Sequence, residues 1–349
     1  MRLSPLARDL YDEISQFTII DAHEHLPAEA RYLAFGYSGL NMFSHYFRLD
    51  LQSAGLDPQF FEAMRTDVTT PVEVWWPKIK PFYEASKNTS YARALRIAAR
   101  DLFGIDDIND STIAEFAARV KADNTPGLYR RTLQQRCGIR RSITCVNKAD
   151  FPDDPGLCGI TALVKGHRAG KGYIAPYTEQ TGRTARSLDE LTDIAQSTLR
   201  AELAQGAVGF KMSVDDIHEP DAAKAAEELK DELKPGYRPR LLTALRDWLF
   251  ARCFDVAAEA NVPVAVHTGY WGDFRTLDPK FMLSFVARRT DVRFDMFHLG
   301  SPMLRDAMLE KARAQLGDGN VARLAAEVAE HKRDPYTLVE EIAARARNM

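Results

Sequence analysis

Long apolar runs are missing from this chain of 349 residues, and none approaches the ~20 residues that a helical membrane span requires. The N-terminus, Met1 to Gln16, reads as a short amphipathic helix. It lacks the apolar stretch and cleavage site of a secretory leader, so the cytoplasm is the expected location. Cysteine is scarce. Cys137, Cys145, Cys158 and Cys253 form no CxxC pair and no zinc-ribbon or disulfide spacing, so they read as four buried, reduced thiols. Excess charge is lacking too: the formal net charge is -3, which argues against nucleic acid held by a general basic field. Nor does a glycine-rich phosphate turn follow the first strand signal. Asp21-Ala22-His23-Glu24-His25-Leu26 stands there instead, which disfavours a doubly wound dinucleotide-binding sheet. Internal repeats and low-complexity tracts are absent.

What is present is an ordinary globular composition, with 45% hydrophobic and 27% charged residues. The length is ample for one barrel of eight β/α units, which needs ~250 residues. Phe17 to Ala22 is a short apolar, β-branched strand signal. From about 40 to 135 helical periodicity and aromatics dominate, with amphipathic helices at Phe60 to Met64 and Tyr91 to Leu102. Trp75-Trp76-Pro77 reads as a break between them, because proline disfavours helix at the preceding residue. This stretch is expected to be one helical insertion after strand 1, placed to cap a site. Strand signals then alternate with helices. Strands are expected at Arg141–Val146, Gly172–Tyr177, Ala207–Val214, Val262–His267 and Val292–His298. Helices are expected at Ser187–Gln205, Leu241–Ala260 and Lys280–Arg289. Such alternation implies a parallel α/β sheet with helical crossovers.

Four of the eight histidines fall at the ends of these strands: His23 and His25, His267, and His298. In a parallel barrel all strand carboxyl ends meet on one face, where active sites are built. A spacing of two puts His23 and His25 on the same side of an extended strand. Neutral imidazole suits Zn²⁺, with Mn²⁺ and Fe²⁺ as alternatives. An isolated histidine pair, or His267 or His298 alone, would be a weak signal; the joint placement at strand ends is the stronger one. His45, His167, His218 and His331 lie in helical or loop contexts and read as surface or supporting groups, although His45, in the aromatic insertion, could reach the cleft.

These motifs resemble those of the amidohydrolase superfamily. TIIDAHEHL is similar to its first-strand HxH motif, VPVAVHTGYWGDFR to its fifth-strand histidine motif, and VRFDMFHLGSP to its sixth. The similarity is greatest to the amidohydrolase-related branch with uronate-isomerase-like and decarboxylase-like members. It implies a single TIM-type (β/α) barrel domain over residues 1–349. His23, His25 and His267 would hold a divalent metal, and His298 would bind a second metal or polarise a substrate carbonyl. Lys211, at the end of the fourth strand, stands where some members carry a carboxylated metal-bridging lysine; pairing with a carboxylate is an equally plain role for it. Arg275 is a candidate for gripping a substrate carboxylate. Tyr270 and Trp271, with Trp75 and Trp76, could wall a ring-sized ligand, though aromatics more often pack in a core.

One element of the resemblance has no counterpart. After His298 the sequence reads as helix (Leu304–Gln315, Asn320–His331, Tyr336–Arg347), so strands 7 and 8 and the metal-binding aspartate of strand 8 are not found. Asp306, Asp318 and Asp334 sit in helix or turn contexts. About two β/α units would be absent between Pro302 and Asp306. The expected function is hydrolysis of an amide, ester or lactone in a small carboxylate-bearing substrate, by water activated on the metal. Aldose–ketose isomerisation and decarboxylation are alternatives, and a non-catalytic degenerate barrel, or a partial chain, is a third. The expected partner is a small molecule, not nucleic acid or membrane; a homo-oligomer is left open.

Overall fold

The computed structural model describes residues 4–36, 39–145, 156–166, 172–269 and 274–298, with 323, 326, 327 and 330. Its strands are ordered β1-β2-β3-β4-β5-β6, the chain order expected of a TIM-type barrel, and the described pairings are parallel. Two compact units divide the chain at Gly159/Ile160.

The first unit begins with α1 (Pro5–Ile14) and β1 (Ile19–Glu24). Between β1 and β2 (Ile139–Thr144) the described elements are all helical: α2 (Glu29–Ala34), α3 (Phe47–Ser53), α4 (Pro58–Thr66), α5 (Val72–Ser86), α6 (Ser90–Phe103), α7 (Ile113–Asp123), and a π-helical stretch over Arg130–Arg136. Start signals are local. Asp57 accepts from the Phe60 amide at 2.8 Å and Thr89 from the Ala92 amide at 3.4 Å, each satisfying an orphan donor of the first turn. Gly104, at φ 66°, ends α6 in a left-handed cap. These helices enclose their own core, with Leu40, Phe43, Leu51, Phe61, Ile79 and Phe116 fully buried. β3 (Leu157–Ala162) starts in this unit, where it pairs with β2 from Ser142↔Leu157 to Thr144↔Gly159.

The second unit holds α8 (Ala175–Thr181), α9 (Leu188–Ala204), β4 (Ala207–Ser213), α10 (Ala222–Glu232), α11 (Thr243–Glu259), β5 (Pro263–His267), α12 (Leu283–Arg288) and β6 (Arg293–Phe297). β4 pairs with β5 from Phe210↔Val264 to Ser213↔His267, and β5 with β6 from Pro263↔Arg293 to His267↔Phe297. Its core is separate and joins Phe210 and Met212 of β4 and Val264 and Val266 of β5 to Leu249, Phe250 and Phe254 of α11. Among the described residues no helix is long and apolar enough to cross a membrane.

Three expectations need correction. Gly172–Tyr177 is not a strand. Gly172 has φ 75°, and the amides of Tyr173 and Ile174 donate to Glu232 Oε1 at 2.7 and 2.8 Å instead of to a neighbouring strand; Pro176 then sits in the first turn of α8. The strand at this point of the order is β3. Trp75-Trp76-Pro77 is no break, because α5 runs through both Pro77 and Pro81. The prolines lie on the solvent face, where the carbonyls they orphan can meet water, while Val72, Trp76, Ile79 and Tyr83 are buried at helical spacing. Lys280–Arg289 is a 3-10 turn (Pro279–Met282) followed by α12, not one helix. The expected absence of strands 7 and 8, and the aspartates Asp306, Asp318 and Asp334, lie outside the described residues.

A charge pair is buried in the second unit. Lys165, just beyond β3, places Nζ 2.9 and 3.1 Å from the two Glu202 carboxylate oxygens and 2.8 Å from Thr161 Oγ1, and Gln180 donates to Glu202 at 2.8 Å. Lys165 and Glu202 are 8% and 3% exposed, so removing one strands the other charge. Lys165→Ala is expected to lower stability by about 3–5 kcal/mol. Lys165→Met with Glu202→Leu should recover most of that loss, as read by urea denaturation.

Candidate metal centre

The carboxyl end of β1 is built by its pairing with β2. Ile20↔Arg141 and Asp21↔Ser142 are followed by Glu24↔Thr144, so β1 spends one more residue than β2 across His23. An irregularity of the opposite sense, between Ile19 and Ile20, compensates. Bulges of this kind re-aim side chains at sites. The pairing ends with the Cys145 amide donating to the Glu24 carbonyl at 2.9 Å. His23 and His25 emerge on the same side, with rings edge to face at 5.0 Å and their Nε2 atoms 3.2 Å apart. Cys145 joins them, and the two ring nitrogens and the Cys145 Sγ lie within 4.8 Å of one another.

The backbone around these donors is held from several sides. The Asp21 carboxylate accepts from the His23 amide at 3.3 Å, and the Glu24 carboxylate from the His25 amide at 3.2 Å. Burial, and then Asp21 beside it, push the Glu24 carboxyl above the usual carboxylate range. The loop after His25 is tied to the far end of the helical insertion. Thr144 Oγ1 donates to the Leu26 carbonyl at 2.8 Å, and Tyr129 Oη to the Pro27 carbonyl at 3.0 Å. Glu29 accepts the amides of Gly127 and Tyr129, each at 2.7 Å. A cavity of about 150 Å³ lies here, walled by Leu26 next to His25 and by Met42, Phe103, Val120 and Tyr129.

In the second unit the strand ends bring a different set together. His267 closes β5, and His298 follows β6 directly. Their rings meet edge to face at 4.6 Å. His298 has φ 62°, a left-handed backbone uncommon for a residue with a side chain and frequent at functional sites. The Val214 amide donates to the His267 carbonyl at 3.0 Å, and Thr268 Oγ1 donates to the Phe297 carbonyl, fixing both ends. Lys211, in β4, lays its ammonium over the Phe297 ring at 4.0 Å, a cation–π contact. Burial, and then the Lys211 charge, hold the His298 imidazole below its ordinary value of 6.5.

Other expected residues go elsewhere. Trp76 is 3% exposed in the insertion core, with Nε1 donating to Asp110 at 2.8 Å, and Trp75 packs edge to face on Phe60. His45 packs against Tyr46 with ring centroids 4.1 Å apart. Tyr270, Trp271 and His167 lie outside the described residues. Arg275 falls in a 3-10 turn, Phe274–Leu277, and its side chain is outside them too. Sequence reasoning missed two groups. One is Cys145; the signal was its position directly after the strand that pairs with β1. The other is a brace behind β4, where buried Arg246 and Asp247 on α11 hold the following segment. Arg246 pairs with Asp215 at 2.8 Å, and Asp247 accepts from His218 Nδ1 at 3.1 Å.

No protein-family model matches this chain, and no curated protein matches it. Solved structures do. A uronate isomerase from Thermotoga maritima aligns with a TM-score of 0.68 at 12% identity, over 88% of this chain and 76% of that one. A glucuronate isomerase from Caulobacter crescentus aligns with a TM-score of 0.59 at 14% identity, over 85% and 67%. A protein from Lactobacillus casei, described only as a metal-dependent hydrolase, gives 0.53 at 13% identity, over 87% and 73%. At such identities the likeness is one of fold.

The electrostatics of the second unit are testable in the metal-free protein. Lys211→Met removes a positive charge that disfavours imidazolium, so the His298 pKa should rise toward 6.5 while staying below it, because burial remains. NMR titration of the His298 ring reads this directly. An unchanged or lowered value would contradict the placement of Lys211.

Proposed function

We propose that this protein is a metal-dependent enzyme of the amidohydrolase type, acting on a small substrate with a carboxylate or carbonyl group. The observation that carries the reading is the pair of imidazole nitrogens 3.2 Å apart at the end of β1. Two nitrogens bound to one zinc ion at 2.0–2.1 Å with tetrahedral angles stand about 3.3 Å apart, so the donors present fit such an ion. The histidine motifs at β5 and β6 and the fold shared with two isomerases and a metal-dependent hydrolase support it further.

On this reading His23, His25 and His267 are the imidazole ligands, by their strand-end positions and by resemblance. When bound, a divalent ion supplies Lewis acidity and lowers the pKa of attached water from 15.7 to about 7. The chain's own residues do the remaining work. Asp21 and Glu24 fix the backbone from which His23 and His25 project. His298, kept neutral at neutral pH by burial and by Lys211, is able to accept a proton or hydrogen-bond a substrate oxygen. Arg275 remains the proposed carboxylate grip and Tyr270 and Trp271 the proposed walls, on sequence alone. The first reaction class is hydrolysis of an amide, ester or lactone. Aldose–ketose isomerisation of a uronate is the second, favoured by the fold match to two isomerases.

Two measurements test the reading. Metal analysis of the purified protein should find a divalent ion, and His23→Ala with His25→Ala should lose it. Stoichiometric metal in the double variant would overturn the ligand assignment. Lactones, N-acyl compounds, uronates and aromatic carboxylates should then be assayed. Turnover of at least one class, abolished by a chelator and restored by Zn²⁺, is expected. Silence across the panel from metal-loaded protein would favour the non-catalytic reading.

A further inference from the structure

The geometry points to Cys145 as a thiolate ligand of the β1 metal site, adding one sulfur to the imidazole nitrogens of His23 and His25 and so selecting Zn²⁺ over the harder divalent ions. The proposal rests on the metal-dependent reading above and says which ion that reading requires.

Three features of the structure support it. The first is register. Cys145 is the residue after β2, its amide donates to the Glu24 carbonyl, and Glu24 lies between the two histidines. A parallel pair that ends there cannot place the Cys145 side chain far from theirs. The second is donor spacing. A tetrahedral zinc site with Zn–N of 2.0–2.1 Å and Zn–S of 2.3 Å has N···N about 3.3 Å and N···S about 3.6 Å. The observed nitrogen separation is 3.2 Å, and all three donor atoms fall within 4.8 Å, leaving room for them to close on one ion. The third is environment. Cys145 is half-buried and unlike Cys253, which is fully enclosed and whose thiol burial pushes up to about 12. Cys253 has no access to solvent, whereas Cys145 stands beside two imidazole nitrogens at a strand end.

The step balances simply. The S–H bond breaks, its electron pair stays on sulfur and forms the metal bond, and the proton goes to solvent. Two neutral imidazoles and one thiolate leave the site one positive charge instead of two. Thiolate is a soft donor that suits Zn²⁺ and is a poor partner for Mg²⁺ or Mn²⁺. The donor set therefore favours Zn²⁺ over Mn²⁺, one of the alternatives that imidazoles alone would leave open.

Cobalt substitution of the full-length protein tests this, since Co²⁺ occupies zinc sites and reports its ligands by colour. One equivalent of Co²⁺ added to chelator-stripped protein should give visible d–d bands together with a near-ultraviolet sulfur-to-cobalt charge-transfer band. Cys145→Ala should abolish the charge-transfer band, keep d–d bands from the histidines, and weaken Zn²⁺ binding at least tenfold, the smaller end of what losing an outer partner costs. Cys145→Ser, nearly isosteric, guards against misfolding and should behave the same way. Cys137→Ala and Cys158→Ala should leave the band intact. In parallel, Zn²⁺ should protect Cys145, and not the exposed Cys137, from alkylation as read by peptide mass spectrometry. Cobalt d–d bands without any Cys145-dependent charge transfer would overturn the proposal while leaving the metal-dependent reading standing. Failure of the wild-type protein to bind Co²⁺ or Zn²⁺ at all would overturn both.

Discussion

The parallel hydrogen-bond ladder between β1 and β2 is the constraint on which the candidate centre depends. A strand end must satisfy two demands at once: its backbone polar groups need partners, and its side chains must reach a common point. β1 meets both by taking an extra residue near His23 and offsetting it with an extra β2 residue near Arg140, so that Glu24 and Thr144 return to register. The carbonyls beyond the ladder are then taken by side chains, Leu26 by Thr144 and Pro27 by Tyr129, while Glu29 accepts two amides of the segment after α7. Charge-assisted bonds to a carboxylate are among the stronger that a loop can have. The donors are thus positioned by a network whose members lie as far as 118 residues away in sequence.

Much of this was legible in the sequence, and the parts that were not share a cause. Strands flanked by clear periodicity were found within a few residues, as at Ala207–Ser213 and Pro263–His267, because apolar β-branched runs ending at a turn leave few alternatives. The histidines at these ends were legible for the same reason. β3 was not: Leu157–Ala162 contains Gly, Cys and Ala, little that marks a strand locally, and it exists because β2 offers it a ladder from Ser142 onward. Gly172–Tyr177 misled in the opposite way. It has strand-like composition, but its amides are taken by a carboxylate 58 and 59 residues away. The nearness of Cys145 to the histidine pair was harder to read, because it depends on which strand pairs with β1 and in what register, which composition and spacing do not encode.

The insertion illustrates how tertiary burial overrides a local rule. Two prolines in α5 remove amides that would have bonded the carbonyls of Glu73 and Pro77, a cost of about 3 kcal/mol or more each in an isolated helix. Both prolines face solvent, and the opposite face buries Trp76, Ile79 and Tyr83 against Phe43 and Phe47. Fully burying an aromatic or aliphatic side chain is worth roughly 1.5–3 kcal/mol, so several such residues outweigh the orphaned carbonyls. The same burial places Trp76 in the insertion core, with Trp75 packed against it.

The second unit bears on the chemistry through the state of one imidazole. Hydrolysis and isomerisation both need a group that takes up a proton, and the aspartate that the resemblance leads one to expect has no assigned place. A group that is already protonated cannot fill that role. His298 is held neutral by two effects acting in the same direction: burial, which costs the charged form its hydration, and the Lys211 ammonium, which repels it. Its left-handed backbone, at φ 62°, is a conformation costing of order 1–3 kcal/mol that the neighbouring Phe297, tied to β5 through Thr268, must sustain. A strained backbone that holds this imidazole against a second histidine is hard to justify by packing, since the His298 side chain, only partly shielded from solvent, fills no core. On the proposed reading, His298 offers an uncharged nitrogen at the end of β6 that is able to accept a proton or a hydrogen bond.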